Sequence, residues 1–140
     1  MAGSWIISGC VYIAPLKALV RERVRDWNER LQRLNIRAVE LTGDSTPDIR
    51  ILRSAKVVIT TPEKWDGITR SWEIRQYVKD VALVIIDEIH LLGVERGAVL
   101  EAIVTRLKLM AAKQKSKDPV RIIGLSTALA NAGDVAEWLD

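Results

Sequence analysis

Cysteine and histidine are almost missing from this chain: one of each in 140 residues. Cys10 alone permits no internal disulfide and no Cys-rich zinc site, which favours a reducing, intracellular compartment. His90, two residues beyond an acidic pair, does not have zinc-ligand spacing. No apolar run approaches the roughly 20 residues needed to span a bilayer. The first ten residues lack the basic start and long apolar core of a secretory signal. Neither charge sign dominates: the formal net charge of +3 is a weak pointer towards an anionic partner. Internal repeats and low-complexity segments are absent too. What remains is one domain, long enough to bury roughly two-thirds of its unfolded surface.

The most informative stretch is Val81-Ala82-Leu83-Val84-Ile85-Ile86 followed by Asp87-Glu88-Ile89-His90. An apolar run without alternation is expected for a parallel strand covered on both faces. Two adjacent carboxylates at its end repel each other, and desolvation adds to the cost. A divalent cation supplies one resolution: an Asp can hold hydrated Mg²⁺ while the neighbouring Glu orients an attacking water, the Walker-B arrangement of a nucleoside triphosphatase; the plain alternative is a strand ending in a solvated acidic turn.

Strands and helices alternate around this run. Val11–Ala14 reads as a strand stopped by Pro15, and Leu16–Leu34 as an amphipathic helix ending near Asn35. A strand over Arg37–Leu41 closes in Thr42-Gly43-Asp44-Ser45. Thr46 then caps a short helix from Pro47 to Ser54. Val57–Thr60 is a strand, and Thr61-Pro62-Glu63 repeats the cap-then-proline signal. A helical piece over Trp72–Lys79 leads into the central strand, and Leu91-Leu92-Gly93 makes an irregular turn after it. A helix over Ala98–Lys113, a strand over Val120–Leu125 and a helix opened by Asn131 or Asp134 complete the chain. The class is α/β with a mainly parallel sheet and helices on both faces. Residues 1–10 fit no named element, although Trp5-Ile6-Ile7 is apolar enough to be an added strand or a frayed end; residues 11–140 form the domain.

Each strand ends in polar residues suited to one cleft: Pro15-Leu16-Lys17, Thr42-Gly43-Asp44, Thr61-Pro62-Glu63-Lys64, Asp87-Glu88-Ile89-His90 and Ser126-Thr127-Ala128. This ordered set resembles the first RecA-like motor domain of a superfamily 2 helicase. The spellings Ala14-Pro15-Leu16-Lys17-Ala18-Leu19, Asp87-Glu88-Ile89-His90 and Ser126-Thr127-Ala128-Leu129-Ala130-Asn131 are similar to the Ski2-like branch, and within it to the signal-cointegrator and spliceosomal helicases. The resemblance implies ATP and Mg²⁺ as cofactors, with Asp87 holding the metal through water and Glu88 polarising the hydrolytic water. It implies that His90, Ser126 and Thr127 link the nucleotide site to the strand-binding face. Pro15, Lys17, Thr61, Pro62 and Glu63 would grip the backbone of single-stranded RNA or DNA, contacts that carry no base information. The parent activity would be ATP-driven 3′-to-5′ movement, in a nuclear or cytoplasmic multi-subunit complex.

Plainer readings stand beside these. Lys17, Lys64 and the helix arginines Arg21, Arg23 and Arg25 suit a solvated helix face. Thr61 is a good cap whatever binds nearby, and His90 could satisfy a polar group under the sheet. Trp27, Trp65, Trp72 and Trp138 fall where core packing is favoured over base stacking. The family's phosphate-binding loop, a Gly-rich turn ending in Gly-Lys-Thr or Gly-Lys-Ser, has no counterpart here, nor has the second motor domain with its arginine fingers. The chain therefore reads as a partial RecA-like domain lacking the phosphate-loop strand, with the edge of the Val120–Leu125 strand exposed and with no ATP turnover of its own. The alternative is a non-catalytic nucleic-acid-binding or protein-interaction module that keeps the helicase fold. An unrelated α/β hydrolase lacks the Gly-x-Ser-x-Gly elbow it would need.

Overall fold

A computed structural model describes residues 9–90, 97–115 and 119–140. The expectations for Trp5-Ile6-Ile7 and Leu91-Leu92-Gly93 lie outside the described residues.

Five strands form one sheet: β1 (Gly9–Ile13), β2 (Ala38–Leu41), β3 (Val57–Thr60), β4 (Val81–Ile86) and β5 (Arg121–Gly124). Their order is β2-β3-β1-β4-β5, and every neighbouring pair is parallel. Parallel pairing throughout puts the carboxyl ends of all five strands on one edge, where α/β folds place ligands. β4 is internal, between β1 and β5, as its apolar sequence required. Among the described residues β5 pairs with β4 alone, and its outer side borders a groove of about 960 Å³ lined by Ile89, Ile122, Ser126, Thr127 and Val135.

Two apolar layers flank the sheet. On one face Val11, Ile13, Val58, Val84 and Ile86 pack with Trp65, Ile68, Leu100, Ile103, Val104 and Leu107. These come from α3 (Pro62–Thr69) and α5 (Gly97–Gln114), with Leu139 added from α6 (Ala132–Leu139). On the other face Tyr12, Ala14, Ala38, Val57 and Ile59 pack with Val20 of α1 (Lys17–Leu31). Helix α1 lies over β2 and β3, so it shields β4 poorly. Val84 and Ile86 are buried, but Leu83 and Ile85 are only half-buried. The expectation of a strand covered on both faces holds for one face and fails in part on the other.

Several boundaries shift for local reasons. The short helix α2 (Ile49–Ser54) is capped by Asp48, whose side chain accepts from the Arg50 N–H, and not by Thr46. The Thr46 hydroxyl donates instead to the Thr42 carbonyl at 3.4 Å, within a turn that Thr42 N–H closes onto Ser45 O. Thr61 occupies the N-cap position of α3, with Pro62 after it, but its side chain makes no capping hydrogen bond. Trp72–Lys79 is not one helix. A single 3₁₀ turn at Trp72–Ile74 and α4 (Gln76–Lys79) are separated by Arg75 in an extended conformation. Asn35 ends the first helical stretch in the left-handed region, φ 57°, as a short polar residue can.

Candidate nucleotide and strand-binding edge

The carboxyl end of β4 is tied to both neighbouring strands. Asp87 N–H donates to Ile13 O at 2.9 Å, Leu125 N–H donates to Ile86 O at 2.8 Å, and Ile89 N–H returns to Leu125 O at 2.9 Å. Between these anchors the chain turns sharply at Glu88, whose φ of 55° is unusual for a residue with a side chain. Such strain persists only where the surroundings enforce it, and it concentrates at functional sites. Here it swings the backbone so that His90 lies between the ends of β4 and β5.

Both Asp87 oxygens are engaged: Oδ1 accepts the Glu88 N–H at 2.9 Å and Oδ2 accepts the Tyr12 hydroxyl at 2.6 Å. An ionised carboxylate offers about four lone-pair sites, so two remain for water. Among the described residues no group of three or more His, Cys, Asp or Glu could hold a metal unaided. A lone carboxylate such as Asp87 could hold hydrated Mg²⁺ only with further oxygens from water or a bound phosphate.

Next to it runs a continuous polar chain. Glu88 Oε2 is 3.0 Å from His90 Nε2, and His90 Nδ1 is 3.3 Å from Ser126 Oγ. The Ser126 hydroxyl has one hydrogen and two acceptors in reach, the second being Thr127 O at 2.7 Å. When neutral His90 gives its Nε2–H to Glu88, Nδ1 needs the serine proton, and the Ser126–Thr127 bond must open. The His90 ring thus lies within reach of Glu88 on one side and Ser126 on the other, at the ends of β4 and β5.

Tyr12 was not among the residues singled out from the sequence. The parallel register pairs Tyr12 with Ile85. Side chains alternate along a strand, so Tyr12 and Asp87 share a face, and the parity of the two strands would have shown it. Burial raises the Tyr12 hydroxyl pKa well above its ordinary value, the Asp87 hydrogen bond and charge raise it further, and Arg23 only partly offsets this. Arg23 stands near enough that the charges of Tyr12 and Asp87 favour its protonated form. Trp27 packs edge-on against the same ring, centroids 5.2 Å apart.

The remaining candidates sit on the same edge but apart from that network. Pro15 is half-buried and Lys17, the first residue of α1, is exposed. Lys17 Nζ lies 2.8 Å from Asp44 Oδ1, so the cation already has an anionic partner. Thr61 and Pro62 are buried, while Glu63 is exposed. Behind them Asp66 of α3 bonds Arg106 of α5 and Arg70, each at 2.8 Å, which fixes α3 against α5. Of the tryptophans, Trp65 is fully buried; Trp27, Trp72 and Trp138 are half-buried against the two apolar layers.

The family model for DEAD/DEAH box helicases matches residues 7–135. The chain is 58% identical over 134 residues to activating signal cointegrator 1 complex subunit 3 of Homo sapiens, covering 95% of this chain and 6% of that protein. It is 54% identical over 130 residues to the RQC trigger complex helicase SLH1 of Saccharomyces cerevisiae, covering 92% of this chain and again 6% of the relative. The chain thus spans about 6% of the length of these relatives. Its fold superposes on the DUF1998 helicase MrfA with a TM-score of 0.80 at 26% identity, covering 95% of this chain and 22% of that one. For MrfA bound to DNA and AMPPNP the TM-score is 0.75 at 25% identity, with 95% and 19% covered. With its sheet order, its acidic turn and its Ser-Thr strand end on one edge, the chain belongs to the DEAD/DEAH box helicase family, among the Ski2-like helicases.

Proposed function

We propose that the chain carries part of the ATP-hydrolysing and strand-gripping edge of a nucleic-acid helicase motor. The observation that carries this reading is the continuous path Glu88–His90–Ser126. It joins the acidic turn after β4 to the end of β5 over hydrogen-bond distances of 3.0 and 3.3 Å. Each residue has a task that its geometry supports. Asp87, oriented by Tyr12 and the Glu88 N–H, presents its free lone pairs to metal-bound water. When bound with nucleotide, Mg²⁺ would neutralise charge on the β- and γ-phosphates. Glu88 accepts a proton-bearing partner and is held ready to orient water. His90 reports the state of Glu88 to Ser126 and Thr127, because one proton must be shared along the path. Lys17 and the N-terminal turn of α3, residues Thr61, Pro62 and Glu63, contact the backbone of a single strand.

In the whole protein these parts would couple ATP hydrolysis to 3′-to-5′ movement along RNA or DNA, inside the cell and within a larger complex. Two relatives are named as members of complexes, which supports the last point. No helix of the described residues is long and apolar enough to cross a membrane. A second reading, a binding module without catalysis, is favoured by one fact: the 140 residues contain no Gly-Lys-Thr or Gly-Lys-Ser phosphate loop.

The strand-gripping part is tested by titrating labelled single-stranded oligonucleotides at low and moderate salt. We expect binding no tighter than roughly micromolar, weakening as salt rises and further weakened by Lys17→Gln. Equal affinity at both salts, or tight sequence-selective binding, would refute a backbone grip.

A further inference from the structure

Among the charged groups outside the acidic turn, one cluster has the shape of a ligand already in place. Lys17 opens α1 and Arg21 follows one turn later, so both project from the same side of the helix. They converge on a single carboxylate: Lys17 Nζ lies 2.8 Å from Asp44 Oδ1, and Arg21 Nη2 lies 3.0 Å from Asp44 Oδ2. Asp44 stands on the loop after β2, so this contact of side chains joins α1 to that loop at the sheet edge.

We propose that Lys17 and Arg21 form a two-cation cradle for one backbone phosphate of a single nucleic-acid strand, and that Asp44 occupies it until the strand displaces it. This deepens the proposed role of Lys17 and rests on that reading. One cation per oxygen on a two-oxygen anion is also how two cations would take the non-bridging oxygens of a phosphodiester. All three side chains are about half exposed, at 48% for Lys17, 53% for Arg21 and 51% for Asp44. Exposed ion pairs are weak, so exchange of carboxylate for phosphate faces little resistance. Arg21 is steadied from its other side by Glu40, whose Oε1 lies 3.6 Å from Arg21 Nε and accepts the Thr42 hydroxyl at 2.9 Å. Glu40 is much less exposed, at 20%, and is held by Thr42; Asp44 is the replaceable carboxylate. The consequence is small but measurable: Asp44 keeps the two cations together and lowers strand affinity by the strength of a weak exposed pair.

The experiment is fluorescence titration of the 140-residue chain with a labelled oligothymidine of about a dozen nucleotides, at about 50 and 200 mM salt. Asp44→Asn keeps size and removes the competing charge. It should tighten binding about two- to fivefold at the lower salt, the scale of a weak exposed pair. The salt dependence should keep the same log–log slope, because the same phosphate is neutralised once Asp44 has been displaced. Arg21→Gln should weaken binding, and combined with Asp44→Asn it should cancel the gain. Arg30→Gln removes a cation on the opposite side of α1, paired with Asp26, and should change binding little. If Lys17→Gln weakens binding but Asp44→Asn leaves it unchanged or weaker, the cradle is wrong and the backbone grip stands. If Lys17→Gln has no effect, the grip itself fails and the cradle falls with it. Circular dichroism of each variant confirms that the fold is intact.

Discussion

Asp66 offers the clearest stability prediction, because its carboxylate is shared by two arginines in very different surroundings. Its side chain is 10% exposed, that of Arg106 is 19% exposed and that of Arg70 is 69% exposed. Breaking a buried pair by removing one partner costs about 3–5 kcal/mol, because the other charge is left uncompensated. In Asp66→Ala, Arg106 keeps its 2.8 Å bond to Thr69 Oγ1 and its 3.3 Å bond to the residue-66 carbonyl. The expected loss is therefore smaller, about 2–3 kcal/mol, or roughly 6–10 °C in Tm for a domain of this size. Arg70→Ala removes only an exposed pair one helical turn away and should cost about 0.3–0.5 kcal/mol. The pH dependence follows from the same contacts. Burial pushes the Asp66 carboxyl up, but the Arg106 and Arg70 hydrogen bonds and charges outweigh it and hold the group below its ordinary value of 3.8. A depressed folded value means that the stabilisation is present above that ordinary value and is lost as pH falls through the lower folded one. The stability gap between the unaltered chain and Asp66→Asn should thus be steady near neutrality and narrow below about pH 4. Urea unfolding at a series of pH values measures both effects. Equal costs for Arg70→Ala and Asp66→Ala, or a gap that widens in acid, would refute the reasoning.

Three further outcomes are expected. Tyr12→Phe removes the 2.6 Å bond to Asp87 and should cost about 1–2 kcal/mol by denaturant unfolding, below the full range for charged acceptors because the site is partly exposed; no loss would mean the bond does not form. Gly124→Ala would place a Cβ 2.9 Å from Ile89 Cδ1 and 3.2 Å from Leu139 Cδ1, so about 1–3 kcal/mol should be lost, while a neutral result would show that Ile89 yields freely. Burial raises the Cys10 thiol from 9.0 to about 11, so alkylation at pH 8 should run roughly tenfold slower than for an unshifted thiol and should accelerate up to about pH 11.

The strands were legible because each is an apolar run that stops in polar residues. With all five parallel, those stops necessarily share an edge, and the motif order followed without tertiary information. Val57–Thr60 was read to the residue, since turn chemistry bounds it on both sides. Caps were less legible: Thr46, Asp48 and Thr61 all have capping oxygens, and which one reaches a backbone N–H depends on the path of the preceding turn. Partnerships across the fold were least legible. Arg70 beside Asp66 follows from helical spacing, but Arg106 comes from 40 positions away and is set by how α5 crosses α3. Arg23 looked like one more solvated arginine because nothing local shows that α1 leans over Tyr12. The half-open face of β4 was missed because an apolar run reports what a strand can bury, not what arrives to cover it.

The central claim is that Asp87 and Glu88 act on phosphates only when a phosphate loop cradles them, and no such loop exists among these 140 residues. The most direct measurement is phosphate release from ATP and Mg²⁺ by the purified chain, with and without single-stranded nucleic acid, beside Glu88→Gln. The account predicts release at the background rate for both proteins. The 140 residues contain no Gly-Lys-Thr or Gly-Lys-Ser loop to supply the backbone N–H groups and the lysine that cradle phosphates. Turnover above background that Glu88→Gln abolishes would contradict it and would mean that these residues build a phosphate site of another kind.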